Sequence, residues 1–393
     1  MPSPRFPKIS ISSYGCVSPL GIGREETREG LRSGRDAISP VRLFPVSSFR
    51  SQTAGQVAAD LGDHAKAVAP RSRHWSRSAQ MVLVAMNEAR EARPDFIPDC
   101  VVMGTTSGGM TLGEEFFRSV SSPRPSHTAT RRLQGYFPQQ PVQQAMRVFR
   151  WDAPVHIVSN ACASGTNALG LACQLIRSGA ARRVLAGGYD ALAEFVFAGF
   201  DSLHASTSEK CRPFDAARTG LILGEGAAVF CLESGEDGLC FSGYGSAVDT
   251  HHLTQPNPSG SGPLLAMRRA LDAAGLAPEA IDYINAHGTG TPFNDSSEAR
   301  GILQICPQTP VSSTKGMTGH ALGAAGAIEA AFCCEALLGH FLPPNLNFTR
   351  TDEEFPLDII ANRARPSHPH RMLSNSFGFG GANATLVLER HDS

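Results

Sequence analysis

Gly224-Glu225-Gly226-Ala227-Ala228-Val229-Phe230-Cys231-Leu232-Glu233 has a counterpart in Gly380-Gly381-Ala382-Asn383-Ala384-Thr385-Leu386-Val387-Leu388-Glu389: a glycine-rich turn, a β-favouring run and the same closing Leu-Glu. Two further pairs echo each other. Val101-Val102-Met103-Gly104-Thr105 resembles Ile284-Asn285-Ala286-His287-Gly288-Thr289, each a strand running into a small-residue turn. Ala161-Cys162-Ala163-Ser164-Gly165 opens an Ala/Gly helix much as Gly319-His320-Ala321-Leu322-Gly323 opens another. A duplicated α/β unit with its seam near residues 235–245 explains three echoes in one order; chance likeness between glycine-rich turns is the alternative.

The elements around these echoes alternate. Residues 100–103, 155–159, 183–186, 227–232, 283–286 and 384–389 read as strands, and 78–92, 166–178, 264–274 and 321–338 as helices by length and apolar spacing. Alternation of this kind favours α/β layers, and 393 residues exceed one ordinary hydrophobic core. In such a fold the turns leaving the strands of both halves can converge on one cleft. Residues 121–140, rich in Pro, Ser, Arg and Gln without periodicity, read as a loop or cap.

Composition removes several classes of function. With 41% apolar residues, 39 Gly and 27 Pro the chain is folded and turn-rich. Thirty-five Lys+Arg against 36 Asp+Glu leave no positive field to gather nucleic acid. The apolar run at 324–338 is interrupted by Glu329 and Glu335 and falls short of a membrane span, and the start MPSPRFPKIS lacks a signal core, so the cytoplasm is the expected location. Ten dispersed cysteines form neither a disulfide ladder nor paired CxxC zinc spacing.

One cysteine differs in context. Cys162 follows the strand-like 155–159 run and precedes a small-residue helix, where unpaired N–H groups and the dipole favour a thiolate. That makes it a nucleophile candidate, against the alternative of a buried helix-start cysteine. His287, in Asn285-Ala286-His287-Gly288-Thr289-Gly290-Thr291, and His320, directly before the second Ala-rich helix, can both face a shared cleft. Either could instead be structural; zinc is a competing reading, but no HxxxH or CxxC spacing accompanies them. Ser374-Asn375-Ser376-Phe377-Gly378-Phe379-Gly380-Gly381 offers exposed N–H groups to a negative oxygen, while its spacing and the strand that follows do not suit a dinucleotide loop.

Together these residues resemble the decarboxylating 3-oxoacyl-[acyl-carrier-protein] synthases, the beta-ketoacyl synthases of the thiolase superfamily. The likeness spans nearly the whole chain through Val17-Ser18-Pro19-Leu20-Gly21, Ala161-Cys162-Ala163-Ser164-Gly165, Arg212-Pro213-Phe214-Asp215, Gly224-Glu225-Gly226-Ala227, His287-Gly288-Thr289-Gly290-Thr291, residues 315–320 and residues 375–381. The resemblance implies an α/β thiolase-like duplicated fold, layered α-β-α-β-α with two five-stranded mixed sheets. It assigns the nucleophilic cysteine to residues 1–240 and the catalytic histidine pair to residues 241–393.

It further implies decarboxylative Claisen condensation of an acyl-enzyme with a malonyl-carrier thioester, in fatty acid or specialised polyketide or polyene elongation. Cys162 would hold the acyl chain, and the N–H groups of Cys162 and Phe379 would form the oxyanion hole, Phe379 also gating the acyl tunnel. His287 and His320 would stabilise the enolate, supported by Lys315 and Glu329. Thr289, Thr291 and Phe377 would meet the substrate arm. Asn285, Glu329, Ser374 and Asn375 match a monovalent-cation site of some members, and Arg71, Arg73 and Arg77, with His74, fall where the family often docks the acidic carrier protein. No cofactor is implied beyond the phosphopantetheine that arrives on the carrier; the partners are that carrier and a second chain, in a homodimer or a ketosynthase-like heterodimer. Asn160 stands where threonine is usual and Thr219 where an acid is frequent, which leaves pocket shape open. A noncatalytic chain-length-determining subunit and a cysteine hydrolase are the rival readings.

Overall fold

The computed structural model describes residues 8–122 and 127–391. Ten strands build its centre. The first five are β1 (Ile9–Ser18), β2 (Cys100–Gly104), β3 (Val155–Val158), β4 (Arg183–Asp190) and β5 (Gly226–Ser234). The second five are β6 (Gly238–Val248), β7 (Tyr283–Asn285), β8 (Val311–Ser312), β9 (Arg371–Gly378) and β10 (Ala382–His391). In space the first set runs β1-β5-β4-β2-β3 and the second β6-β10-β9-β7-β8. Both follow one pattern: two antiparallel pairings, then two parallel ones. Each of the three sequence echoes falls on equivalent elements, so the duplication is borne out. Among the described residues the sets join edge to edge through Ile9↔Phe241 and Ser10↔Cys240.

Five helices fix the layers: α1 (Arg77–Ala92), α2 (Ser164–Arg177), α3 (Ser261–Ala274), α4 (Pro292–Ile305) and α5 (Ala325–Gly339). Helix α1 covers the outer face of the first set, and α3, backed by α4, that of the second. Between the sets lie α2 and α5, which touch each other and strands of both. This is the expected α-β-α-β-α order.

Strand alternation builds the cores. Val101 and Met103 point to Met81 and Met86 of α1, whereas Val102 joins the central core with Leu169 of α2 and Phe332 of α5. Across the pseudo-repeat Val387 joins the outer cluster with Met267 and Ile302, while Leu386 and Leu388 face the centre. Strands covered on both faces carry near-continuous apolar runs, which is why they were readable. Helix α5 is buried on almost every side. Preceded by its 3-10 turn it makes Leu322–Gly339, which is long and apolar enough to cross a membrane, a correction to the expectation that this run falls short; here it is the central helix of a packed core. Its Glu335 is paired with Tyr14 Oη at 2.6 Å, Arg28 Nε at 2.6 Å and Arg24 Nε at 3.2 Å.

Other expectations change. The strands β1, β6, β8 and β9 were not foreseen. Residues 121–140 are not a plain loop: they hold a short helix, His127–Arg132, and a 3-10 turn, Leu133–Tyr136. Residues 123–126 of that stretch, and 1–7 of the signal-core reading, lie outside the described residues. Arg77, expected beside Arg71 and Arg73 as a free basic contact, is already paired inside the fold. Its guanidinium grips buried Glu225 through Nε at 2.8 Å and Nη2 at 2.5 Å and reaches Val57 O at 2.6 Å, tying α1 to the turn before β5.

Removing one partner of such a buried pair leaves a carboxylate without its counter-ion. Arg77→Leu is expected to lower unfolding stability by about 3 kcal/mol. Urea denaturation measures it; a loss under about 1 kcal/mol, the scale of an exposed pair, would show the pair to be dispensable.

Candidate active site

Cys162 sits between β3 and α2, in a turn that strains its neighbour: Ala161 has φ +53°, a left-handed conformation costing a side-chain-bearing residue roughly 1–2 kcal/mol. The strain turns the sulfur towards a cleft of about 310 Å³ lined also by His287, His320, Thr289, Thr291, Phe377 and Phe379. Sγ and a ring nitrogen of each histidine lie within 4.8 Å of one another. The backbone N–H groups of Cys162 and Phe379 both reach the sulfur. Gly378 makes that convergence possible, because a Cβ there would lie 2.9 Å from Cys162 N and 3.2 Å from Ala161 Cβ.

The histidines arrive on matching turns of the second half. His287 follows β7, held by Glu298 of α4, which accepts the N–H groups of His287 and Gly288, each at 2.8 Å. His320 precedes the 3-10 turn that leads into α5, its ring edge-on to His287 with centroids 5.1 Å apart. Hydrogen bonds settle both tautomers. Leu322 N–H donates to His320 Nδ1 at 3.2 Å, and the Lys315 ammonium, a donor only, stands 3.4 Å from His287 Nδ1. The proton of each ring is therefore on Nε2. His320 Nε2 has no partner among the described residues.

Lys315 is almost fully buried. It donates to His287 O at 2.6 Å and to the Glu329 carboxylate of α5. Burial first, and the Lys315 charge second, hold both imidazoles well below the usual histidine range, so they are neutral at physiological pH. The thiol departs from expectation. Burial pushes Cys162 up to about 12, against the opposing pull of Lys315 and the two backbone N–H groups, so the resting group is a thiol rather than the anticipated thiolate. The helix begins only at Ser164, and desolvation outweighs its dipole.

A sulfur and two nitrogens at this spacing could also hold a metal ion. Both ring lone pairs, however, are on Nδ1 and engaged, and the ammonium opposes a second cation, so the set is arranged to donate protons rather than ligate.

The remaining expected residues divide. Thr289 Oγ1 meets Thr291 Oγ1 at 2.9 Å on the cleft wall. Phe377 leans on His287 with centroids 5.9 Å apart, and Phe379 stacks on Phe200 at 5.7 Å. Asn285 Oδ1, Ser374 Oγ and Glu329 Oε2 are buried oxygens with no hydrogen-bond partner among the described residues, and Asn285 and Ser374 are register neighbours on β7 and β9. Asn375 is already engaged, accepting from Thr385 Oγ1 at 2.8 Å and donating to Glu298 Oε1 at 3.1 Å. Arg71 and Arg73 are exposed on a 3-10 turn, Pro70–His74, and neither lines the Cys162 cleft. Thr219 does line it, bonded to Thr207 Oγ1 at 2.7 Å.

Sequence reasoning missed Glu298 and Asp295, one helical turn apart near the start of α4; Asp295 accepts Phe214 N–H at 2.8 Å and Gly290 N–H at 3.1 Å. Two acids at i, i+3 directly after a Gly/Thr turn were the available signal.

Comparison with known proteins follows the same lines. The family model for the beta-ketoacyl synthase N-terminal domain matches residues 7–238, and that for its C-terminal domain residues 240–349. A 3-oxoacyl-[acyl-carrier-protein] synthase 2 of Coxiella burnetii is 34% identical, over 98% of each chain. Among solved structures, the ishigamide ketosynthase/chain length factor superposes with a TM-score of 0.89 at 30% identity, covering 98% of this chain and all of that one. A ketosynthase of Xenorhabdus doucetiae in complex with its chain length factor gives 0.85 at 30% identity over 99% of each chain.

Two outcomes check the site. Gly378→Ala is expected to cut alkylation of Cys162 by iodoacetamide at least about tenfold, since a contact under 3 Å must push the sulfur's N–H cradle apart; an unchanged rate would contradict the close approach. In the unmodified protein that rate should climb about tenfold per pH unit from pH 7 to 10 without a plateau, because a raised thiol leaves the thiolate fraction proportional to hydroxide. A plateau near pH 7 would mean an acidic thiol.

Proposed function

The chain belongs to the beta-ketoacyl synthase family, and from that membership we propose how its own atoms divide the two stages of a decarboxylative condensation. It is an acyltransferase that extends an acyl chain by Claisen condensation with a malonyl thioester in fatty acid or polyketide elongation. The observation that carries the assignment of roles is one sulfur facing two neutral Nε2–H donors in one cleft.

In the first stage an acyl-carrier thioester reaches Cys162 past Thr289 and Thr291, whose hydroxyls suit the amides of a phosphopantetheine arm. The sulfur attacks the carbonyl, the N–H groups of Cys162 and Phe379 hold the developing oxyanion, and the carrier leaves as a thiol that takes up the proton Cys162 gives. In the second stage a malonyl thioester loses carbon dioxide and its electron pair moves to the thioester oxygen, where His287 and His320 donate from Nε2. Neutral donors serve better here than cations, because a cation would hold the malonyl carboxylate in its ground state and oppose loss of carbon dioxide. The enolate carbon then attacks the acyl carbonyl, the tetrahedral oxyanion occupies the first cradle, and its collapse breaks the carbon–sulfur bond and releases Cys162 as a thiolate that takes a proton from water.

Lys315 and Glu329 support rather than react. Asn285, Glu329 and Ser374 would hold a monovalent cation through the oxygens that lack a hydrogen bond, with Asn375 beside them; such an ion would satisfy buried oxygens that are otherwise costly to desolvate. Phe379, stacked on Phe200, gates the acyl side. The division of labour follows residues 1–240 for the nucleophile and 241–393 for the histidines. The partners are an acyl carrier protein, with Arg71 and Arg73 as its exposed basic contacts, and a second chain in a homo- or heterodimer. No further cofactor enters the scheme. Ten free cysteines suit a reducing compartment, and the cytoplasm is the location we propose. A noncatalytic chain-length subunit would have no use for the assembled Cys162, His287 and His320.

Incubation with acyl-carrier protein should add the acyl mass to Cys162, and Cys162→Ala should abolish it. His320→Ala should lower release of carbon dioxide from malonyl-carrier protein by about 100- to 1000-fold. Intact mass across a chain-length series reads the pocket at the same time. Acyl transfer that survives Cys162→Ala would end this reading.

A further inference from the structure

Asp190 ends β4 with its side chain fully buried, and neither stage above uses it. Six groups donate to its two oxygens. Thr105 Oγ1, Ser107 N–H and Ser107 Oγ reach Oδ1 at 2.6, 2.8 and 2.7 Å. Thr106 N–H, Thr106 Oγ1 and Gly323 N–H reach Oδ2 at 3.0, 2.8 and 2.7 Å. Five of these come from the turn after β2 in the same half. The sixth crosses to the other half.

That crossing lands beside the histidine pair. Gly323 follows Leu322, which is held at φ +54° and whose N–H donates to His320 Nδ1. A Cβ on residue 323 would lie 2.8 Å from Asp190 Oδ2 and 2.7 Å from Thr106 N, so the approach is as close as a backbone permits. A left-handed leucine does not hold itself in place; the surroundings must over-determine it. The carboxylate on the next amide is such a constraint.

We propose that Asp190 is a positioning residue for decarboxylation: by holding the Gly323 amide it keeps the strained Leu322 turn in place, and that turn keeps the His320 proton on Nε2, facing the malonyl thioester. The role rests on the condensation scheme above for what the Nε2–H meets, but not for the tautomer itself. The same carboxylate raises the Cys162 thiol by its charge, so neutralising it does not harm the nucleophile. The two stages should therefore respond unequally, decarboxylation falling while acylation does not.

Asp190→Asn tests this, because an amide of equal size turns a nitrogen donor against groups that are themselves donors. Malonyl-carrier decarboxylation should fall about 10- to 100-fold, while acylation of Cys162 is unchanged or faster. In spectra of protein labelled with ¹⁵N-histidine, the His320 signals, assigned by their loss in His320→Ala, should change from a single Nε2–H tautomer to a mixture. Equal loss in both stages, or an intact tautomer, would overturn the proposal. If Asp190→Asn does not fold, Thr106→Val, which removes a hydroxyl donor to the same oxygen, carries the test: the same split at smaller size supports the role, and an unchanged tautomer with an unchanged ratio of stages overturns it. Wild-type protein that takes up no acyl group would sink the condensation scheme, yet the tautomer spectra would still decide for or against Asp190.

Discussion

The Lys315 ammonium lies almost without solvent between the carbonyl oxygen and Nδ1 of His287 and the Glu329 carboxylate. Burying such a charge costs several kcal/mol unless every contact is made, so the three groups that accept from it cannot drift independently. Glu329 fixes where α5 must lie, His287 O fixes the turn after β7, and the ring lone pair is drawn to the ammonium. The proton left on Nε2 follows from that. Burial keeps both rings neutral, and the Lys315 charge adds to it, since a second positive charge beside the ammonium is unfavourable.

Duplication gives this arrangement its two sides. Helices α2 and α5 occupy equivalent places between the strand sets and start at neighbouring points, one delivering Cys162 and the other His320. Small residues line both starts, which lets backbones rather than side chains meet there. Asp190 and Gly323 exploit that closeness with a hydrogen bond from one repeat to the other.

Much of this was legible before any coordinates. The buried strands β2 and β5 announced themselves through unbroken apolar runs, and the echo of β5 carried β10 and the pseudo-symmetry with it. β6 was missed because residues 238–248 intersperse glycines and serines among the apolar positions, which imitates a turn. Cys162, His287, His320, Lys315 and Glu329 do converge, because motif and register fix them together. The partner of Arg77 was not legible because a basic residue at a helix start looks the same whether it faces water or a distant carboxylate such as Glu225. The protonation of Cys162 was misjudged for a related reason: the dipole of a nearby helix shows in the sequence, while the desolvation that opposes it depends on residues more than a hundred positions away.

The shared middle layer also governs how the chain can be made. Helix α5 supplies part of the inner wall for β1, β4 and β5, yet it emerges from the ribosome about a hundred residues after β5 is complete. At ordinary translation speeds the first repeat waits roughly 5–20 s with that wall uncovered. A nascent chain of this architecture is thus a client for holding chaperones during one defined interval, and protease sensitivity of stalled chains ending before and after Gly339 would mark where the interval closes.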